Sequence, residues 1–488
     1  MCGIIGIHGE HTISPELYFG LLGLQHRGQS AVGIITYDGH IHPEKEAGLV
    51  TRLMKGYDSE TAFGEDHPGF VGIGHTRYST SGSDDKKALK RNAQPEYIVN
   101  PFMAACHNGN IYNLAEMREY CSRTPRTSCD IQFLLLPMAD AMPTYTRIDF
   151  DNIVDSAGSV MEKVKGSYSA LFLTVGRERP FMFIMTDQYK VRPLVIGQKD
   201  GTWYAASESM VLKRLGVDEF TDVDSGTILT VTPGEDKPEA KKLVKKKKHL
   251  CMFEYVYFAD PVSWIEKISV HNTRVALGKS LCRDCPVKAD LVVPIPESGR
   301  RYAIGFSHES GIPMEEGLKK DRKERAFIMQ TQEQRNLWAE RNLSAVDAAL
   351  DGKDVVLTDD SLIRGTNIKR VIRKVREAGA KSVHVRIGCP PIIAPCYLGI
   401  DMRHKTEFIA IDQEKNEFKP WDQIATEIGA DSLGYNSLEA LRKTIIGTRD
   451  DIELCTGCLN FPNGYPPDMR GDVQNLSEIA SSCGRAYE

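Results

Sequence analysis

Cys2 sits one residue from the start of the chain, and its small side chain permits removal of Met1. Its α-amine would then be free. An α-amine titrates near ~7.7–8.0, so part of it is neutral at pH 7 and can take the thiol proton. One residue then carries both nucleophile and base. Two polar blocks could serve such a thiolate, His75-Thr76-Arg77-Tyr78-Ser79-Thr80 and His107-Asn108-Gly109-Asn110. Both follow apolar runs and so emerge at strand ends, where loops build sites. The Asn108 side chain and the Gly109 N–H suit the oxyanion of a tetrahedral adduct. Arg77 offers a bidentate fork for a carboxylate, and Asp130 can receive an ammonium group. A substrate with an α-carboxylate, an α-amine and an acyl group to be attacked is an amino acid such as glutamine.

A second chemistry is written at Asp359-Asp360-Ser361-Leu362-Ile363-Arg364-Gly365-Thr366, between an apolar run and a helical pattern. Backbone N–H groups, the Ser361 and Thr366 hydroxyls and the positive end of the following helix make an anion site sized for a monophosphate. Gly365 permits the tight turn. The adjacent carboxylates suit a sugar diol, or a Mg²⁺ bridging it; paired acids at a strand end also serve as plain solvated caps. A third feature is Cys455-Thr-Gly-Cys458, whose spacing puts two thiolates on one metal centre. By spacing alone zinc fits as well as iron.

The elements that must position these residues are legible in part. Short apolar runs at Cys2–His8, Phe70–Gly74, Phe102–Cys106, Tyr168–Thr174 and Phe181–Met185, cut by Gly, His, Asn or Asp, read as strands. Helical spacing intervenes at Pro15–Gln25 and Ile131–Ala141, so the first half reads as a layered sheet-and-helix domain. The charge-heavy stretch Pro233–Lys248 marks a boundary, and its lysine run reads as a solvated linker face. Beyond it, Ala289–Pro296, Asp354–Thr358 and Lys381–Ile387 read as strands. Ile368, Val371, Ile372 and Val375 keep amphipathic helical spacing. Strands followed by helices at this pitch predict a parallel α/β sheet.

Composition sets the outer limits. The 488 residues exceed one core and fit two or three domains. A net charge of −5 removes the basic footprint of a nucleic-acid binder. Mean hydropathy is −0.32, and no run reaches the ~18 apolar residues of a membrane span. The first residues lack the basic segment of a signal peptide, so the expected compartment is cytoplasmic, with its 12 cysteines as thiols or ligands.

Taken in order, Cys2-Gly3-Ile4-Ile5-Gly6, Leu24-Gln25-His26-Arg27-Gly28-Gln29 and the two His blocks resemble the class II glutamine amidotransferase domains of the N-terminal-nucleophile hydrolase superfamily. The resemblance implies an α/β/β/α sandwich with Cys2 as nucleophile, Asn108 and Gly109 as oxyanion hole, and Arg77 and Asp130 on the glutamine α-groups. Cys129-Asp130-Ile131-Gln132 departs from that family's usual Ser-Asp-Thr-Glu. The octad resembles the phosphoribosyl pyrophosphate (PRPP) motif of type I phosphoribosyltransferases, usually V-D-D-S-I-V-R-G-T. That implies a parallel-sheet α/β domain binding PRPP through Asp359, Asp360, Ser361, Arg364, Gly365 and Thr366.

Both halves in one chain resemble the glutamine-dependent PRPP amidotransferases, and the blocks Cys251–Pro261, Ile295–Gly299 and Phe327–Gln332 match as well. The resemblance implies synthesis of 5-phosphoribosylamine, pyrophosphate and glutamate from glutamine, water and PRPP, the first step of purine biosynthesis. It also implies Mg²⁺ held by Ser298, Asp359 and Asp360, a loop near Arg325–Asn342 closing over PRPP, feedback by purine nucleotides, and a homo-oligomer, by family a tetramer. One branch carries a 4Fe-4S cluster on positions that here are Cys251, Cys396, Cys455 and Cys458, with Cys389 nearby. In the segment from Asp321 to Asn342, Glu340 stands at a usual Arg and Asn342 at a usual Lys. A PRPP or nucleotide sensor, or a glutaminase supplying ammonia to a partner, are therefore the alternatives. The expected organisation is a glutaminase domain at 1–235, a transferase domain at 250–450 and a C-terminal segment at 451–488 bearing two cluster ligands. Neither nucleic acid nor membrane is expected as a partner.

Overall fold

The computed structural model describes the chain except residues 79–84, 143–147, 177–178, 321–342, 403, 416 and 484–488, and gives only the backbone of 480–483. The expected PRPP-closing loop, together with Ser79 and Thr80, lies outside the described residues.

Alternation along two central strands builds the first half. Gly3–His8 is buried at every position and pairs antiparallel with Val71–Arg77 on one side and Thr202–Ala206 on the other, inside a seven-stranded sheet. Phe102–Ile111 and Gly166–Val175 pair antiparallel as inner strands of a six-stranded sheet. Successive side chains on a strand point to opposite faces, and here the two faces feed different cores. Ile4, Ala104 and Cys106 join Ile73, Leu171 and Met182 between the sheets. Ile5 and Ile7 pack outward with Leu17 and Leu21 of the helix Ser14–Gly23. Met103 and Ala105 pack outward with Leu134 and Leu135 of the helix Gln132–Ala141 and Ile153 of the helix Phe150–Met161. Helix, sheet, sheet and helix thus stack in the expected sandwich.

The second half contains a four-stranded parallel sheet in the order Leu291–Pro294, Asp354–Asp359, Ser382–Ile387, Ser432–Tyr435. The helix Thr366–Glu377 buries Ile368, Val371, Ile372 and Val375, the four positions its spacing picked out. Each such side chain contributes about 1.5–3 kcal/mol, enough to dock the helix on the sheet. The charge-rich stretch after Pro233 contributes the exposed edge strand Glu239–Lys242 and then Lys248–Cys251. Lys248–Cys251 pairs in parallel with Ile452–Cys455, which sets Cys251 opposite Cys455 and returns the C-terminal segment to the middle of the chain. No helix among the described residues is long and apolar enough to cross a membrane.

Candidate functional site

Cys2 precedes the central strand. Gly3 pairs with Thr76, so Arg77 follows on the neighbouring strand just where Cys2 precedes its own. Cys2 is half-buried and within electrostatic range of the buried Cys106 thiol, and its carbonyl accepts the Arg27 Nε at 2.9 Å. Met1 is buried against the second-half core. Burial lowers its amine to about 5, Cys2 opposes this, and the nearby Arg192 and Arg27 cations lower it further.

Asn108 is completely buried in Phe102–Ile111 of the six-stranded sheet. At Gly109 an added Cβ would meet the Ser167 carbonyl at 1.9 Å, so only glycine allows the backbone to pass. Asp130 accepts His107 Nε2 and the Ile111 amide, both at 3.1 Å. Burial works against its charge, but His107 and these hydrogen bonds hold it below the usual carboxylate range. Cys129, raised to about 12 by burial and by Asp130 and Glu96, is opposed by Arg77. Arg77 and Asp130 therefore share one neighbourhood.

The second site forms where two parallel strands end side by side. Ser298 Oγ donates to Asp359 Oδ1 at 3.0 Å, and the Ser361 hydroxyl binds the Asp360 carboxylate. Burial raises both acids, and at Asp359 the neighbouring Asp360 charge adds to the effect. Gly365 has φ +75°, and a Cβ there would meet Ile409 Cδ1 at 2.4 Å, so the turn into the helix at Thr366 requires glycine. Arg364 is not gathered with these carboxylates: its Nη2 binds Glu407 Oε2 at 2.7 Å.

The cysteine positions converge. Cys251, Cys396, Cys455 and Cys458 are each under a tenth exposed. The Cys458 carbonyl accepts the amides of Ile393 and Ala394, two to three residues before Cys396. Burial raises Cys251 to about 11, and also raises Cys455 and Cys458, with the other cysteines adding. Among the described residues no three His, Cys, Asp or Glu are placed to hold a single metal ion. Cys389 is also buried, and its amide donates to the Asp360 carbonyl at 2.7 Å, linking this patch to the acidic pair.

One connection was missed in the sequence. Arg27, buried, donates Nη1 to Glu208 at 2.6 Å and grips Glu254 with Nη1 and Nη2 at 2.9 and 2.7 Å. Arg27 and Glu254 both lie inside quoted motif blocks, but nothing local marks them as partners, and Glu208 stands in none. Glu254 opens a π-helical turn, Glu254–Phe258. The Tyr255 carbonyl of that turn accepts Arg274 Nε at 2.7 Å, and Arg274 lies in electrostatic range of Asp360. Hydrogen bonds thus run from the Cys2 carbonyl through Arg27 to Glu254, and the turn that Glu254 opens holds Arg274 within electrostatic range of the acidic pair.

An N-terminal-nucleophile sandwich followed by a parallel sheet with an acidic, glycine-turned strand end defines a glutamine amidotransferase joined to a phosphoribosyltransferase. The family described as glutamine amidotransferase domain matches residues 75–214. The amidophosphoribosyltransferase of Methanocaldococcus jannaschii is 39% identical over 96% of this chain and 98% of its own length. The solved glutamine PRPP amidotransferase from B. subtilis, complexed with ADP and GMP, superposes with a TM-score of 0.82 at 32% identity, covering 95% of this chain and 97% of that one. A structure described as the allosteric regulatory enzyme of purine biosynthesis gives 0.81 at 32% identity, covering 95% and 96%. The chain belongs to the amidophosphoribosyltransferase family, pentosyltransferases with glutamine amidotransferase activity that carry out the first step of purine biosynthesis.

Proposed function

We propose that the two sites divide that reaction as follows, Cys2 releasing ammonia from glutamine and the acidic strand end holding PRPP to receive it. With Met1 removed, the Cys2 α-amine takes the thiol proton and the thiolate attacks the glutamine carboxamide carbon. Asn108 and Gly109 receive the oxyanion, while Arg77 and Asp130 hold the α-carboxylate and α-amine. Ammonia leaves, and water clears the thioester to glutamate.

Ammonia then attacks C1 of PRPP and pyrophosphate departs, leaving 5-phosphoribosylamine. Asp359 and Asp360 fit the ribose hydroxyls, and Ser361, Gly365 and Thr366 fit the 5-phosphate at the helix start. Arg364 can join them only by leaving Glu407. Asp359, Asp360 and Ser298 offer hard oxygens, and the raised acids are what a divalent cation would relieve. When bound there, Mg²⁺ would neutralise charge on the pyrophosphate.

Cys251, Cys396, Cys455 and Cys458 would hold a 4Fe-4S cluster, whose all-thiolate donor set they supply; when bound, it would cross-link the C-terminal segment to residue 251. Purine nucleotides are the proposed feedback ligands, in line with the ADP and GMP in the B. subtilis structure, and a homotetramer in the cytoplasm the proposed state. The domain limits remain those read above, 1–235, 250–450 and 451–488.

The observation that carries the coupled reading is the hydrogen-bonded path from the Cys2 carbonyl through Arg27 to Glu254, whose turn holds Arg274 within electrostatic range of Asp360. Anaerobic steady-state assay with glutamine, PRPP and Mg²⁺ tests it: glutamate and pyrophosphate should appear in equal amounts. Glutamate without pyrophosphate would support the ammonia-supplying glutaminase, and neither product the sensor.

A further inference from the structure

Arg192 has no role assigned in either reaction, although its charge also reaches the chain-start amine. It is completely buried, and the carbonyl of its neighbour Val191 accepts the Cys251 amide at 3.1 Å. Its Nη2 donates to the carbonyl of Leu398, two residues past Cys396. Among the described residues its Nε and Nη1 have no hydrogen-bond partner. Nη1 lies 4.0 Å from Glu254 Oε1, but both Glu254 oxygens are already gripped by Arg27.

A buried guanidinium with unmatched donors carries a desolvation cost that hydrogen bonds or a facing anion must offset. Burial acts against the charge of Arg192, and the groups that act for it are Cys251, Cys396, Glu254 and Cys455. Three of them are cysteines of the converging patch. Holding a cluster, they would face it with the charge it lacks.

We propose that Arg192 is the fixed cationic partner of the four-cysteine site and raises the reduction potential of the cluster that Cys251, Cys396, Cys455 and Cys458 would hold. The inference rests on the iron–sulfur reading above. A four-thiolate cluster bears net negative charge that grows by one on reduction, so a fixed cation at its edge stabilises the reduced form more than the oxidised one. Hydrogen bonds and charge near the sulfurs are general levers on such potentials. Arg192 touches no substrate; it is a positioning and tuning residue.

The test compares wild type, Arg192→Gln and Arg192→Lys, purified anaerobically and reconstituted with ferrous iron and sulfide. Iron per chain, the rate of iron loss to a chelator, and the midpoint potential from a dithionite titration followed by EPR are read for each. Arg192→Gln should have a lower potential and lose iron on the order of tenfold faster, whereas Arg192→Lys, which keeps the charge, should stay near wild type in both. Arg192→Gln matching wild type in both readings would overturn the proposal. If Arg192→Gln does not fold, Arg192→Lys decides: near-wild-type potential and iron retention support a role for charge, and loss of iron or fold assigns Arg192 to packing alone. Wild type that takes up no iron would end the iron–sulfur reading and this inference with it, an outcome distinct from a loaded wild type indifferent to Arg192.

Discussion

Arg27 and Glu254 stand 227 residues apart in the chain, yet the two Nη atoms of the arginine lie 2.9 and 2.7 Å from the glutamate carboxylate, in a position closed to solvent. The same guanidinium donates Nε to the Cys2 carbonyl. The nucleophile's backbone is therefore pinned by a side chain with one counter-charge, Glu208, in its own half and the other, Glu254, in the transferase half.

Breaking that pair should be costly in both stability and coupling. Glu254→Gln leaves a buried guanidinium with one of its carboxylates gone, and losing one partner of a buried pair costs about 3–5 kcal/mol. The melting temperature should fall by several degrees, and glutamine-dependent synthesis should fall more than ammonia-dependent synthesis. An unchanged melting curve would show that the pair contributes nothing.

Asp130 should act on glutamine affinity and not on transfer. Asp130→Asn removes a charge-assisted contact of roughly 1.5–3 kcal/mol, so KM for glutamine should rise about 10- to 100-fold. Kinetics with ammonia should stay put. A parallel loss with both nitrogen donors would remove Asp130 from the glutamine site.

His8 gives a pH signature. It is buried, its Nδ1 lies 3.0 Å from the Val231 carbonyl, and burial lowers it from 6.5 to about 4. The folded protein thus resists a proton that the unfolded chain accepts, so stability rises with pH. This contribution is complete above pH 6.5 and is lost as pH falls toward 4, amounting to on the order of 3 kcal/mol. Chemical denaturation of His8→Asn between these pH values should show a shallower slope than wild type; equal slopes would refute the assignment.

The cysteine patch should carry iron. Anaerobically purified protein should be brown with a broad band near ~400 nm, and Cys396→Ser should lower both iron content and melting temperature. The stabilisation follows from closing a loop of some ~200 residues between Cys251 and Cys455. One zinc and no iron by metal analysis would contradict it.

Much of this arrangement is visible in the sequence, and the rest is hidden for definite reasons. Gly3–His8 is legible because a strand buried on both faces is a continuous apolar run, and Ile368, Val371, Ile372 and Val375 because one helix face is buried. Ser432–Tyr435 was missed: four residues of mixed character carry no period. Glu239–Lys242 was invisible as a strand because backbone bonds to Thr227–Thr230 hold it while its side chains stay in water. The pairing of Arg27 with Glu208 and Glu254 was not legible, since nothing local tells a solvated ion from one buried against a partner some 200 residues away. Cys2, Asp359 and Asp360 stand at strand ends, where the sequence puts them, whereas Asn108 lies inside Phe102–Ile111, which runs on past the apolar segment Phe102–Cys106; the joining of Cys251 to Cys455 was legible only through family resemblance.

The central claim is that one chain holds two separable chemistries. It is tested most directly by measuring pyrophosphate release from PRPP and Mg²⁺, with glutamine or with added ammonia, under anaerobic conditions. Cys2→Ala should abolish the glutamine-dependent rate and leave the ammonia-dependent rate nearly intact. Asp359→Asn combined with Asp360→Asn should remove both by more than about a thousandfold, since positioning of this kind is worth on the order of 7 kcal/mol, while some glutaminase activity survives. Full glutamine use by Cys2→Ala, or no pyrophosphate from wild type with either nitrogen donor, would contradict the account.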